Sequence, residues 1–219
     1  MVKLMHKFVF LYFLVFVLVF SYLNVKVSAD EDKYVVFIDP GHGGLDGGCN
    51  YLDLVEKDIN LKIALKLRDS LEEGGYEVLM TRSADIHLCK DKFSKKEDLN
   101  TRIEMINKSN ADLFISIHTN SFTNPKYFGA QVFYNGIQPN NLLIASNVQG
   151  YLSTFTKTTR RHKNLDNIMI LRNINKVGCL IETGFISNPS EYELYKSDAY
   201  LQQLANCMMY GIQDYFRVI

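Results

Sequence analysis

A chain of 219 residues that is 47% hydrophobic and 12% aromatic has the apolar content of a folded protein and the length of one ordinary domain plus an extension, which excludes disorder as the default. Its formal net charge is zero, and with Lys3, Lys7 and Lys26 set aside as part of an N-terminal segment, 21 bases face 24 acids. A mildly acidic remainder excludes a dominant nucleic-acid role, which would want a clustered basic surface.

The extension is N-terminal. Lys3, His6 and Lys7 precede an apolar run from Phe8 to Leu23, broken only by Ser21, and Val27-Ser28-Ala29 follows where a signal peptidase would read. The run exceeds a typical signal core of ~7–15 residues and falls short of the ~20 of a spanning helix. Residues 1–29 are thus expected to be a signal peptide cleaved before Asp30 or an uncleaved signal anchor, in which case this segment is the chain's one contact with the membrane. The basic residues ahead of the run keep the N-terminus in the cytoplasm and export residues 30–219, to the cell wall or an intermembrane space.

From Asp30 onward strand and helix patterns alternate without repeats or a linker, as in a single-domain α/β layer sandwich. Tyr34 to Ile38 reads as a buried strand. A long glycine-rich loop, Pro40 to Val55, follows, and loops of that length in compact domains are often functional. Ile59, Ile63, Leu67 and Leu71 recur at i, i+4 and predict a helix over Glu56 to Glu73, ended by Gly74-Gly75. Next come a strand at Tyr76 to Thr81, a polar loop at Arg82 to Asp98, a helix at Leu99 to Lys108 and a strand at Leu113 to Ile117. The basic run Lys90 to Lys96 reads as solvated loop. Ala130 to Tyr134 predicts a strand, Asn141 to Phe155 a helix, Ile168 to Leu171 a strand and Gly178 to Ile181 the last apolar strand. Ser190 and Glu193 have capping-box spacing for a helix start, and Ala199 to Phe216 is the final helix. Helical crossovers between strands predict a mostly parallel or mixed sheet.

Cys49, Cys89, Cys179 and Cys207 show no C-x-x-C spacing; the apolar settings of Cys179 and Cys207 predict buried free thiols.

Three candidate metal ligands share one structural address. His42 follows the first strand inside Asp39-Pro40-Gly41-His42-Gly43-Gly44, Glu56 opens the first helix, and His118 ends the Leu113 strand. Carboxyl ends of parallel strands form one rim, where crevices lie. Two His and one Glu, with a position left open, are a catalytic zinc set, whereas a structural site closes with four protein ligands. Glu182, just past the last strand, adds a carboxylate at that rim, suited to act as a base beside the metal. Each residue also has a plainer reading: His42 as turn decoration, His118 as a hydrogen-bonded strand-end histidine, Glu56 as a macrodipole partner. His87 in a polar loop and His162 in a basic run are weak candidates.

Taken together, Ile38 to Gly44, Glu56-Lys57-Asp58, Ser116 to Asn120 and Ile181-Glu182-Thr183-Gly184-Phe185-Ile186-Ser187-Asn188 resemble, in order, the motifs of the zinc-dependent N-acetylmuramoyl-L-alanine amidases, over about Tyr34 to Phe216. The resemblance implies a mixed sheet of about six strands flanked by helices, one catalytic Zn2+ held by His42, Glu56 and His118, and Glu182 as the catalytic glutamate. The implied substrate is peptidoglycan, cut between the lactyl group of N-acetylmuramic acid and L-alanine. Arg82 and Asn120 match recurring cleft positions. Lys176-Val177-Gly178-Cys179 departs from the small-Pro-Ala type segment common before the catalytic strand, which is expected to alter the wall beside Glu182. The stretch between Tyr134 and Ile168 is too short for the inhibitory helix that some members insert.

Read as a secreted catalytic domain without wall-binding repeats, the chain is similar to the germination-specific branch. That branch strips peptides in the spore cortex so that muramic-δ-lactam can form. Three ligands on loop and strand ends also lead us to expect modest metal affinity or an accessory protein that stabilises the site. Two alternatives stay open: a catalytically silent peptidoglycan-binding or partner-assembly protein on the same fold, and a zinc amidohydrolase with another exported substrate.

Overall fold

The computed structural model describes residues 33–219, so the expected signal segment lies outside the described residues. The first strand, β1 (Val35–Pro40), is buried along its whole length because both of its faces are covered. Around it the sheet runs in the order β4 (Glu77–Met80), β1, β5 (Leu113–Asn120), β8 (Val177–Phe185), β6 (Gln131–Tyr134) and β7 (Lys163–Asn164). β4, β1, β5 and β8 are mutually parallel, and β6 pairs antiparallel with β8. The sheet is therefore mixed and mostly parallel, with six strands, as expected.

Alternation along the strands builds two cores. Val36, Ile38, Leu113, Ile115, Ile117, Cys179 and Ile181 point to one face, where they meet α1 (Glu56–Glu73), α3 (Asn141–Thr156) and α6 (Asp198–Phe216). Val35, Phe37, Phe114 and Leu180 point to the other, against α2 (Lys95–Lys108) and α4 (Met169–Asn173). The α1 stripe is buried as its spacing predicts, with Ile63, Leu67 and Leu71 fully enclosed. Among the described residues no helix is long and apolar enough to cross a membrane.

Several local expectations change. β5 and β8 run farther than their apolar cores, so His118 and Glu182 lie inside strands, because backbone pairing continues past the last aliphatic residue. The long loop holds a two-strand hairpin, β2 (Asn50–Tyr51) with β3 (Leu54–Val55). α2 begins at Lys95, where Ser94 accepts from the Glu97 N–H, so Lys95 and Lys96 of the basic run belong to a helix. Ile168 to Leu171 is not a strand: a four-residue apolar run does not distinguish the two states. Here one helical turn, α4, buries Ile170 and Leu171 against the second core. The capping box is also displaced. α5 (Pro189–Tyr195) is capped by Asn188, which accepts from the N–H groups of Ser190 and Glu191 and leaves Pro189 at N1. All four cysteines are free, with Cys179 and Cys207 buried.

Candidate metal centre

The parallel strands deliver their carboxyl ends to one edge of the sheet, and the candidate residues collect there. His118 and Glu182 are register partners across β5 and β8, so their side chains leave the same face. β1 ends one strand away, and the chain turns immediately into the loop carrying His42, a non-glycine residue with φ 63°. Such a conformation needs support. Two buried arginines supply it. Arg102 Nη1 donates to the Pro40 carbonyl at 2.8 Å and Nη2 to the His42 carbonyl at 2.6 Å. Arg82 Nε donates to the Pro40 carbonyl at 3.0 Å and Nη2 to the Gly41 carbonyl at 2.9 Å.

Asp39 anchors the same assembly from within β1. It accepts from Arg102 Nη1 at 2.7 Å, Thr81 Oγ1 at 2.7 Å and Ser116 Oγ at 2.8 Å. Burial alone would raise its pKa; the Arg102 charge and these hydrogen bonds outweigh burial and hold it below the ordinary carboxylate value.

Glycine is required at two positions. A Cβ on Gly41 would lie 2.2 Å from His118 Cε1, so the imidazole packs flat on bare backbone. Gly48, at φ +70°, leaves room for Glu56 Oε2, which a Cβ would meet at 2.5 Å.

The Glu56 carboxylate lies between the two imidazoles. Its Oε1 is 3.2 Å from His42 Nε2 and 3.0 Å from His118 Nδ1, and the three donors lie within 4.8 Å of one another. Donors around a tetrahedral zinc with bonds of about 2.1 Å stand about 3.4 Å apart, close to the two separations from Glu56 Oε1. Oε2 of Glu56 accepts the Cys49 N–H at 2.9 Å, while Asn60 Nδ2 and the Thr119 N–H approach Oε1 at 3.3 Å. Burial works to raise the Glu56 pKa, but the two imidazoles more than offset it, leaving the carboxyl ionised far below its usual range. For His42, burial works downward and Glu56, followed by Asp46, pulls its pKa up. Asp46 Oδ2 stands 2.9 Å from His42 Nδ1, which fixes the tautomer with Nε2 turned to Glu56.

Glu182 is half-buried as a residue, yet its Oε2 is enclosed without a hydrogen-bond partner. Burial pushes its pKa up to about 7, against the lowering effect of His118. A buried carboxyl titrating near neutrality beside three metal-type donors has the properties of a general base. A cleft of about 270 Å³ opens over the site, walled by His42, His118, Leu99, Met169, Ile170 and Leu180. A larger groove of about 860 Å³ lies away from these groups, between α3 and α6.

Over this geometry the chain matches the N-acetylmuramoyl-L-alanine amidase family across residues 36–214. The chain belongs to that family. The amidase is 41% identical over 188 residues to the germination-specific N-acetylmuramoyl-L-alanine amidase of Bacillus subtilis, covering 83% of this chain and 79% of that one. It is 28% identical over 237 residues to N-acetylmuramoyl-L-alanine amidase AmiA of Escherichia coli, covering 87% and 79% of the two chains. Its fold is similar to the CwlD amidase of Clostridioides difficile, solved in complex with the GerS lipoprotein: the TM-score is 0.82 at 36% identity, over 85% of this chain and all of that one.

Of the other residues singled out by sequence, Arg82 lies beneath the amidase's ligand loop rather than on the cleft, and Asn120 caps the Ser121 N–H at 2.8 Å. His87 and His162 do not join the donor group among the described residues. The departure at Lys176 to Cys179 sits at the far end of β8: Cys179 faces the opposite core and Leu180 forms the cleft wall, so this segment does not shape the surroundings of Glu182. Sequence reasoning missed Asp46 and Arg102. A carboxylate four residues after His42, and an i, i+4 Asp98–Arg102 pair that straddles the predicted helix start at Leu99, were the available signals.

Proposed function

We propose that this amidase works with one zinc ion held by His42, Glu56 and His118, with Glu182 as its proton carrier. The observation that carries this reading is the convergence of both imidazoles on one Glu56 oxygen beside the unpartnered Glu182 carboxyl. Zinc, when bound, supplies an acidified water and a polarised amide carbonyl. Glu182 accepts the proton of the attacking water and returns it to the leaving alanine nitrogen, as the carbon–oxygen bond forms and the carbon–nitrogen bond breaks. A lactyl carboxylate and a free peptide amine result. Asp46 and the two arginines hold His42 in place throughout. Peptide release from intact peptidoglycan, measured with and without chelator, tests the reading; hydrolysis indifferent to chelator and zinc would sink it.

The germination-specific relative supports a narrower role: removal of stem peptides in the spore cortex, as a step towards muramic-δ-lactam. Normal δ-lactam content in spores lacking the gene would reject it. Residues 1–29 serve as the export segment and residues 30–219 work in the cell wall or spore intermembrane space, which N-terminal sequencing and fractionation would check. The fourteen-residue separation of His42 from Glu56, together with the lipoprotein complex of the similar amidase, supports an accessory protein that stabilises the metal site. Stoichiometric zinc in protein purified alone would make such a partner unnecessary.

A further inference from the structure

The stretch of sheet on the far side of Glu182 from His118 has no part in the proton and metal chemistry. Gln131 is the register partner of Glu182 across the antiparallel β6–β8 pair, so the two side chains share a face of the sheet. Gln131 in turn ties down the loop ahead of β7: its Nε2 donates to the Arg161 carbonyl at 2.9 Å, and Arg160 Nη1 donates to its Oε1 at 3.2 Å. Arg160 is thereby fixed one strand away from the reacting edge.

Its guanidinium is held over two aromatic rings. The Arg160 Cζ lies 4.8 Å from the Phe185 ring centroid and 5.3 Å from that of Tyr127, and Nε donates to the Phe128 carbonyl at 3.2 Å. These bonds use two of five N–H groups, both on neutral acceptors. Of the two arginines under the ligand loop, Arg102 has Asp39 and Asp98 as partners and Arg82 bonds backbone carbonyls; among the described residues Arg160 has no ion pair, and the nearest acid its charge acts on is the buried Glu191, which is bonded to the Gly129 and Phe185 N–H groups. A rigid, half-buried guanidinium with unused donors is suited to a carboxylate, which it binds through two parallel bonds.

Stem peptides of peptidoglycan carry free carboxylates, and the distance selects which of them. Phe185 is three positions after Glu182 in β8, at most about 10 Å of strand, the span of about three extended peptide residues. We propose that Arg160 is a specificity residue that binds a free carboxylate of the stem peptide within three residues of the scissile amide. The proposal rests on Glu182 marking the position of the scissile amide.

The test compares muramyl tripeptides bearing free carboxylates with the same peptides carrying a carboxamide at the second or third residue. With the zinc-loaded protein, amidation at one of these positions is expected to lower kcat/KM roughly 10- to 100-fold, mainly through KM. Arg160→Gln is expected to abolish this discrimination, and Arg161→Gln to leave it intact. Wild-type indifference to amidation, discrimination surviving in Arg160→Gln, or its loss in Arg161→Gln would each overturn the assignment. If Arg160→Gln does not fold, Arg160→Lys decides: it keeps the charge and loses the fork, so discrimination should fall several-fold, and unchanged discrimination overturns the proposal. Should wild type cleave none of the peptides, the fault lies with the catalytic reading. Binding of the same pairs to zinc-loaded Glu182→Gln then decides Arg160, and equal affinities for acid and amide overturn it.

Discussion

Asp39 and Arg102 lie 2.7 Å apart with both side chains almost wholly buried, and the same guanidinium holds the Pro40 and His42 carbonyls. The position of a metal-type donor therefore depends on an ion pair inside the sheet. Replacing Asp39 with Ala would leave the buried Arg102 charge with Asp98 as its one carboxylate partner and strip Thr81 and Ser116 of their acceptor, with an expected loss of about 3–5 kcal/mol of stability, read from urea unfolding.

The pair also predicts a pH dependence. The folded pKa of Asp39 lies below its ordinary value of 3.8, so its contribution is fully present above that value and is lost as pH falls through the folded one. Wild type should lose stability below about pH 4, and Asp39→Asn should start lower with a flatter acid limb. Parallel acid limbs in the two proteins would remove Asp39 as the cause.

Glu182→Gln should retain zinc and lose turnover by roughly 10²–10⁴-fold, with metal content and hydrolysis measured on the same preparation. Burial holds the carboxyl up at about 7, and a bound cation nearby favours the ionised form. The rising limb of activity with pH should accordingly fall below about 7 in the zinc-loaded protein, and a limb above 7 would contradict Glu182 as the base.

Asp46 accepts at His42 Nδ1 from 2.9 Å. Asp46→Ala should weaken zinc binding by roughly 10- to 100-fold in a chelator competition, with little change in thermal stability. Unchanged affinity would show that the loop alone orients His42.

Gly41→Ala introduces a methyl 2.2 Å from the His118 ring. Displacement of that ring should lower zinc affinity and cost about 1–3 kcal/mol from overpacking. A variant with wild-type zinc affinity would mean that the ring yields without consequence.

Local signals in the chain determined a good deal. Periodicity defined α1 from Glu56 to Glu73, because its buried stripe Ile59, Ile63, Leu67 and Leu71 repeats at helical spacing and glycines follow it. The order of four motifs pointed to the family and to the residues that converge, since His42, His118 and Glu182 each stand near the carboxyl end of a strand and parallel strands bring those ends to one rim. Tertiary structure decided what depends on contacts between distant segments. Whether Ile168 to Leu171 extends or coils was settled by the space between α2 and β8. That Arg102 clamps the His42 loop from 60 residues away, and that Gln131 stands opposite Glu182, follow from strand order and register, which side-chain patterning leaves open. Sequence specifies which groups are available and which local geometry they favour; only packing fixes which of them meet.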